Sequence, residues 1–351
     1  MYVGHSLSVP ASFTTQVFPL PYPKQDFTGQ TVLITGANTG IGLEAARHFV
    51  RLNSKKVILG CRDVEKGQVA KSDIEFTQHI DTPFDPDRIE VWQVDLESFD
   101  SVKAFCRRAA ALDRLDIVVE NAGLLSMVYK VAEGYERSTT VNVISTWLMA
   151  LLLLPVLRAT KEKFYGRSSE SASESGSSHL PHLVVVGSNA HFYTSFEGRN
   201  EPSIFEHFRY GTDMFNRYAN TKLMSLFVGR EVAAQMLQSK NKGKSQVVLN
   251  IVEPGSCQTQ LLREKSWPWY YEAITRIGFG IIGRTPEMGA RTYISAATAG
   301  WKSHGIYLED CQLSTPHEFV DSKEGRRIQK KIYQELMEIL ENIEPGISNN
   351  I

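Results

Sequence analysis

Tyr218 and Lys222 stand four residues apart in the stretch YANTK, within a segment of helical spacing. Residues i and i+4 share one face of a helix, so the two side chains can act together. A free tyrosine, with a pKa of ~10, is a poor acid or base at neutral pH. A lysine ammonium at ~4 Å, at an effective dielectric of ~20, would stabilise the phenolate by ~4 kcal/mol. That would bring Tyr218 into the range where acid–base catalysis is efficient. The pair alone is weakly specific, because the same spacing occurs on many solvated helix faces.

A second cluster is more telling. TGANTGIG occupies residues 35–42, directly after the apolar run TVLIT and at the start of a helical pattern. Gly36, Gly40 and Gly42, with Asn38, Thr39 and Ile41 between and beside them, make a turn that lets backbone approach a pyrophosphate closely. The helix that follows would offer its free amides and positive dipole end to that anion. In a strand–turn–helix context such a glycine cluster reads as a dinucleotide site.

These residues need a scaffold, and the chain supplies one. Strand-like runs at 31–35, 56–60, 88–96, 115–123 and 182–188 alternate with helical patterns at 42–52, 64–78, 99–112 and about 135–160. The apolar runs are continuous rather than alternating, as suits a parallel sheet covered on both faces. The expected fold is α/β: a doubly wound parallel sheet of the Rossmann type with helices on both sides. Residues 1–29 read as an irregular arm. Residues 30–351 read as one dinucleotide-binding domain ending in a C-terminal helix, with a mobile Ser-rich loop at 166–179 that has almost nothing apolar to bury.

Composition narrows the function further. The net charge is −1, which gives no electrostatic basis for binding nucleic acid. Cys61, Cys106, Cys257 and Cys311 are scattered with no paired spacing, so no metal site is expected and reduced thiols in the cytoplasm are. WLMALLLLPVL (147–157) is too short for a membrane span, and no signal-peptide pattern opens the chain. No transmembrane segment is expected.

The chain resembles the short-chain dehydrogenase/reductase family from about residue 30 to about residue 310. The resemblance rests on the glycine turn and on a series of further motifs, each in the expected element. Asp95 and Leu96 match the position that contacts adenine. Asn121, Ala122 and Gly123 match the end of the family's N-N-A-G, with Glu120 replacing its first Asn. Asn142 in VNVIST and Ser188 in VVVGSNA match the catalytic Asn and Ser, and Tyr218 and Lys222 match Y-x-x-x-K. EPGSCQT matches P-G-x-x-x-T, with Pro254, Gly255, Cys257 and Thr259. GCRD (60–63) and GRTPEMGAR (283–291) are most similar to the retinol-dehydrogenase-like branch. The arm and VVENAG are similar to fungal members, many of which serve secondary metabolism.

The resemblance implies an oxidoreductase in which Tyr218 protonates a carbonyl oxygen as hydride arrives from a nicotinamide, and Ser188 hydrogen-bonds the same oxygen. It implies that Lys222 also holds the nicotinamide ribose and that Asn142 supports a water relay to Lys222. NADP(H) is the expected cofactor. Cys61 takes the place where NAD-preferring relatives carry an acid, and the Arg62 guanidinium suits a 2′-phosphate. Two aromatic-rich segments, 191–216 and 260–284, are expected to roof the site, about half of their aromatics being core. They point to a lipophilic ketone, aldehyde or secondary alcohol, as for a ketoreductase of a biosynthetic pathway. WPWYY (267–271) leaves a membrane-surface patch open. Three other readings stay open: a nucleotide-sensing or scaffold protein, an epimerase or dehydratase using the same site, and a Ser–His pairing of Ser188 with His191. The last lacks the G-x-S-x-G elbow, and His191 is expected at the surface or in the pocket wall. A homodimer through helices near 135–160 and 214–239 is compatible with the apolar run.

Overall fold

The computed structural model describes residues 16, 18–77, 85, 87–166, 180–194, 196–210, 213–240, 244, 246–258 and 283–351. The first half alternates strand and helix: β1 (Thr31–Thr35), α1 (Gly40–Arg51), β2 (Lys56–Cys61), α2 (Val64–Thr77), β3 (Ile89–Gln93), α3 (Phe99–Ala110) and β4 (Ile117–Glu120). A small hairpin, β5 (Val131–Ala132) with β6 (Tyr135–Glu136), leads into the long helix α4 (Arg137–Tyr165). Then come β7 (His182–Val186), the short α5 (Ile204–His207), α6 (Met214–Lys240), β8 (Val248–Glu253) and α7 (Pro286–Ala296). The chain ends in β9 (Tyr307–Glu309), β10 (Gln312–Ser314), α8 (Glu318–Asp321) and α9 (Lys323–Ile343).

Seven strands lie parallel in the order β3-β2-β1-β4-β7-β8-β9, and β10 joins the β9 edge antiparallel. The expected doubly wound sheet is therefore present. The strand order reverses between β1 and β4, which opens the ligand crevice of such sheets at their carboxyl ends. All five residues of β1 are buried. Val32 and Ile34 pack with Ala45, Phe49 and Tyr293 on one face, and Leu33 packs with Trp147 and Phe227 on the other. This double burial is why the strands read as continuous apolar runs rather than alternating ones.

Elements begin and end within a few residues of their expected places. The exceptions lie where periodicity carries little signal. The β5–β6 hairpin and β10 are too short to show in the sequence. α4 runs five residues past its expected end, and a π-helical turn at Thr140–Ser145 interrupts it.

α4 is long and apolar enough to cross a bilayer, but 83% of its apolar window is buried inside the fold. Part of that cover comes from the C-terminus. Ile328, Ile332, Leu336 and Leu340 recur at helical spacing along α9, all fully buried in the cluster that holds α4 and α6. Arg158 of α4 donates to the carbonyls of Asn350 and Ile351. The two helices expected to meet a second subunit thus carry the chain's own C-terminal helix.

Candidate active site

The glycine turn is built by backbone geometry. Gly36 and Gly40 take φ of 65° and 59°, a region that side chains disfavour. A Cβ on Gly42 would stand 2.5 Å from Asn121 Nδ2 and 2.6 Å from the Gly36 carbonyl. Asn121 holds the turn from beneath: its Nδ2 donates to Thr35 O at 2.8 Å and Gly36 O at 3.3 Å. Its Oδ1 accepts from the Tyr293 hydroxyl at 2.9 Å, and Ala122 N donates to Thr35 Oγ1 at 3.0 Å. Asn121 therefore spends its amide on shaping the turn. Tyr293 and Thr35 are partners that sequence reasoning missed, because nothing local to either marks a contact so distant in the chain.

The turn opens α1 as an anion site requires. Thr39 at the N-cap makes no side-chain cap hydrogen bond, and the first turn of α1 holds no acidic residue. By contrast, Ser98 caps α3 and Thr285 caps α7 with their hydroxyls. Amides left uncapped, no repelling carboxylate and close glycine backbone together fit a dinucleotide pyrophosphate. Asn38 lies in this turn, and Ile41 packs partly buried on the core cluster beneath it.

Around it lie the other residues singled out for the cofactor. Arg62, just past β2, is 68% exposed at its side chain, and its Nη1 donates to Glu97 Oε1 at 2.8 Å. Cys61 beside it is buried within β2. The Asp95 carboxylate accepts from Glu97 N at 3.0 Å, and the Leu96 carbonyl accepts from Ser145 Oγ at 2.7 Å. Pro254, Gly255 and Cys257 lie in the turn after β8, where Cys257 bridges Arg284. Thr259 and the expected aromatic segment from Trp267 to Tyr271 lie outside the described residues.

Ser188, Tyr218, Lys222 and Asn142 converge at the carboxyl ends of β4 and β7. Ser188 stands beside the Tyr218 phenol, close enough to oppose the rise in its pKa, and its hydroxyl accepts from Ala190 N at 3.1 Å. Asn142 sits in the π-helical turn of α4, a distortion that re-aims side chains at functional sites. Its Nδ2 donates to Leu124 O at 2.9 Å and Thr221 Oγ1 at 3.1 Å, and its Oδ1 accepts from Leu124 N at 2.9 Å. Gly123 completes the cluster, since a Cβ there would lie 3.2 Å from Asn142 Oδ1 and 3.8 Å from Lys222 Nζ.

Two sequence expectations need correction. The Tyr218 phenol is not drawn toward neutral pH by Lys222, whose Nζ donates to Val186 O at 2.7 Å and lies 5.8 Å from the centre of the tyrosine ring. Burial pushes the Tyr218 phenol up to about 12, opposed by Ser188 beside it and reinforced by Glu253, while burial brings Lys222 down to about 8. His191 is not a surface or pocket-wall residue but 3% exposed. Its Nε2 accepts from His317 N at 3.3 Å, which leaves Nδ1 to donate to Ser188 O at 2.6 Å. Burial depresses its pKa to about 4, so the ring is neutral and pins the backbone of Ser188, with its nitrogens unavailable as a base for the hydroxyl.

Glu253 was not singled out from the sequence. It ends β8, in register with Glu309 of β9, and is 1% exposed. Burial pushes its carboxyl up to about 8, with Glu309 adding to the rise and the Gly255 amide opposing it. Among the aromatics expected over the site, Phe196, Phe205 and Phe208 are core, whereas Tyr193, Tyr210 and Phe215 are exposed.

Known proteins agree with this architecture. Residues 30–194 match the family model described as short chain dehydrogenase. A short chain dehydrogenase/reductase of Cryptosporiopsis sp. is 36% identical over 94% of this chain and 96% of its own length. A short chain dehydrogenase of Emericella nidulans is 40% identical over 85% of this chain and 89% of its own. The crystal structure of a short chain dehydrogenase from Escherichia coli complexed with NADPH superimposes with a TM-score of 0.53 at 20% identity, covering 82% of this chain and 99% of that one. The chain belongs to the short-chain dehydrogenase/reductase family and is an oxidoreductase of that class.

Proposed function

We propose that the protein is an NADP(H)-dependent reductase of a lipophilic ketone or aldehyde. One observation carries this reading: Ser188 and Tyr218 stand side by side at the crevice where the uncapped α1 turn and the cluster of Asn142, Gly123 and Lys222 also meet. Gly36, Gly40, Gly42 and the α1 amides hold the pyrophosphate, Asp95 and Leu96 flank the adenine, and Arg62 takes the 2′-phosphate. The bound nicotinamide supplies the hydride. Ser188 donates a hydrogen bond to the substrate oxygen and stabilises the charge that develops there. Tyr218, a protonated phenol at neutral pH, gives that oxygen its proton. Lys222, still cationic below about pH 8, stabilises the phenolate left behind, and Asn142 fixes the loop at Leu124 against α6. A phenol protonated at neutral pH is in the form that proton donation to a carbonyl oxygen requires.

Tyr193, Tyr210 and Phe215, exposed on the segment expected to roof the site, support a lipophilic substrate. The likeness to fungal members supports a place in a biosynthetic pathway, and the four free thiols support the cytoplasm. Cover of α4 and α6 by α9 supports a monomer rather than the homodimer compatible with the sequence. Sedimentation at micromolar concentration tests that point, with a mass near 39.4 kDa expected. The activity is tested by screening lipophilic ketones and aldehydes for NADPH oxidation followed by absorbance. Oxidation with none of them, by protein shown to bind NADPH, would overturn the reductase reading.

A further inference from the structure

Gln16 lies 240 residues from Ser256 in the chain, yet it contacts Ser256 as one peptide group contacts another. Its Nε2 donates to Ser256 O at 2.6 Å, and its Oε1 accepts from Ser256 N at 3.2 Å. The side chain is nearly enclosed, Gln16 being 5% exposed. On the other side of the turn, Arg284 N donates to Ser256 O at 2.8 Å and Gln258 N donates to Arg284 O at 3.0 Å. Between the two sits Gly255 at φ 84°, where a Cβ would stand 2.7 Å from Arg284 Nη1 and 2.9 Å from Gln16 Oε1. The turn at 254–258 is thus gripped from both sides.

The contact is anchored along its length. Arg291 of α7 donates to Leu20 O, and Arg51 of α1 donates to Pro23 O at 2.8 Å. The Tyr22 ring lies under both guanidinium groups, 4.5 Å from Arg51 and 5.0 Å from Arg291. Phe27 meets Phe49 edge-to-face. The arm therefore runs over α1 and α7 and delivers Gln16 to the carboxyl end of β8.

We propose that this arm is a working part of the cofactor site and that Gln16 is a positioning residue, fixing the 254–258 turn for the nicotinamide end of the dinucleotide. The proposal rests on the proposed function and on assigning that turn to the nicotinamide end of the cofactor, because it directly follows Glu253 at the end of β8, which lies near enough to Tyr218 to act on its phenol. A turn fixed before binding does not pay its ordering entropy when the ligand arrives. Losing two hydrogen bonds toward the lower end of the usual range, about 0.7 kcal/mol each, weakens binding on the order of tenfold.

The test compares the full chain with Gln16→Ala and Gln16→Glu, using NADPH and adenosine 2′,5′-bisphosphate, which lacks the nicotinamide. In Gln16→Ala we expect the NADPH dissociation constant and KM to rise about tenfold, with kcat at saturating NADPH and the bisphosphate constant unchanged. Gln16→Glu keeps the acceptor but turns a carboxylate oxygen toward the Ser256 carbonyl in place of the donor, so it should weaken NADPH at least as much as Gln16→Ala. Equal weakening of both ligands, no weakening of either, or a parent-like Gln16→Glu beside an impaired Gln16→Ala would overturn the role of Gln16. A parent that binds NADPH no more tightly than the bisphosphate would overturn the assignment of the turn, and with it this proposal.

Discussion

Lys222 donates a 2.7 Å hydrogen bond to the carbonyl of Val186, at the end of the strand that leads to Ser188. The ammonium is therefore fixed by the sheet rather than by the Tyr218 phenol, and burial alone brings it down to about 8. Within this fold its charge is a variable of ordinary buffers.

The reduction rate should accordingly fall as pH rises through about 8. Below that pH Lys222 is cationic and Glu253 is protonated; above it Lys222 is neutral and Glu253 is an anion. Both changes make the phenolate left by proton donation costlier, so both act in the same direction. Tyr218, near 12, keeps its proton throughout. Single-turnover reduction followed from pH 6 to 10 checks this, and Glu253→Gln should make the fall shallower. A rate that climbs with pH through 8 would contradict the mechanism.

Tyr218→Phe should retain the fold and cofactor affinity while losing nearly all turnover. The ring and its packing remain, and only the proton donor is gone. General acid catalysis contributes about 10²–10⁴ in rate, so a variant within threefold of the parent kcat would remove Tyr218 from the mechanism.

Arg62→Ala should weaken NADPH by roughly ten- to a hundredfold, for one charge-assisted hydrogen bond of ~1.5–3 kcal/mol, and leave NADH nearly unchanged. Glu97→Gln should move NADPH the other way, because the carboxylate that now holds the guanidinium competes with a 2′-phosphate. Dissociation constants for both cofactors decide it. Equal loss of both in Arg62→Ala would show that the guanidinium does not read the 2′-phosphate.

Glu120→Gln should stabilise the protein, by on the order of 1–3 kcal/mol at pH 8. Both carboxyl oxygens of Glu120 lack a hydrogen-bond partner among the described residues, and burial raises its pKa well above 4.5. A raised folded pKa means that the protonated acid is tolerated below the unfolded value and that stability is lost as pH rises above it. The gain from Gln should therefore be larger at pH 8 than at pH 5, as read by denaturant unfolding at both. An equal gain at the two would show that ionisation of Glu120 is not the cause.

The sequence by itself determined what is local or periodic. Gly36, Gly40 and Gly42 read as a dinucleotide turn because backbone freedom is a property of glycine, whatever surrounds it. Tyr218 and Lys222 could be placed on one face because helical spacing is fixed, and the parallel sheet was legible because strands buried on both faces must be apolar throughout. Tertiary structure alone decided which partner each polar group found. Lys222 turned to a carbonyl 36 residues away, Asn121 spent its amide on the glycine turn, and His191 became a neutral clip between Ser188 and His317. The same holds for the cover that α9 lays over α4 and α6, and for Gln16 on Ser256. A hydrogen bond is set by direction and burial at a few ångströms, and these depend on how distant segments pack. Neither composition nor spacing along the chain carries that information.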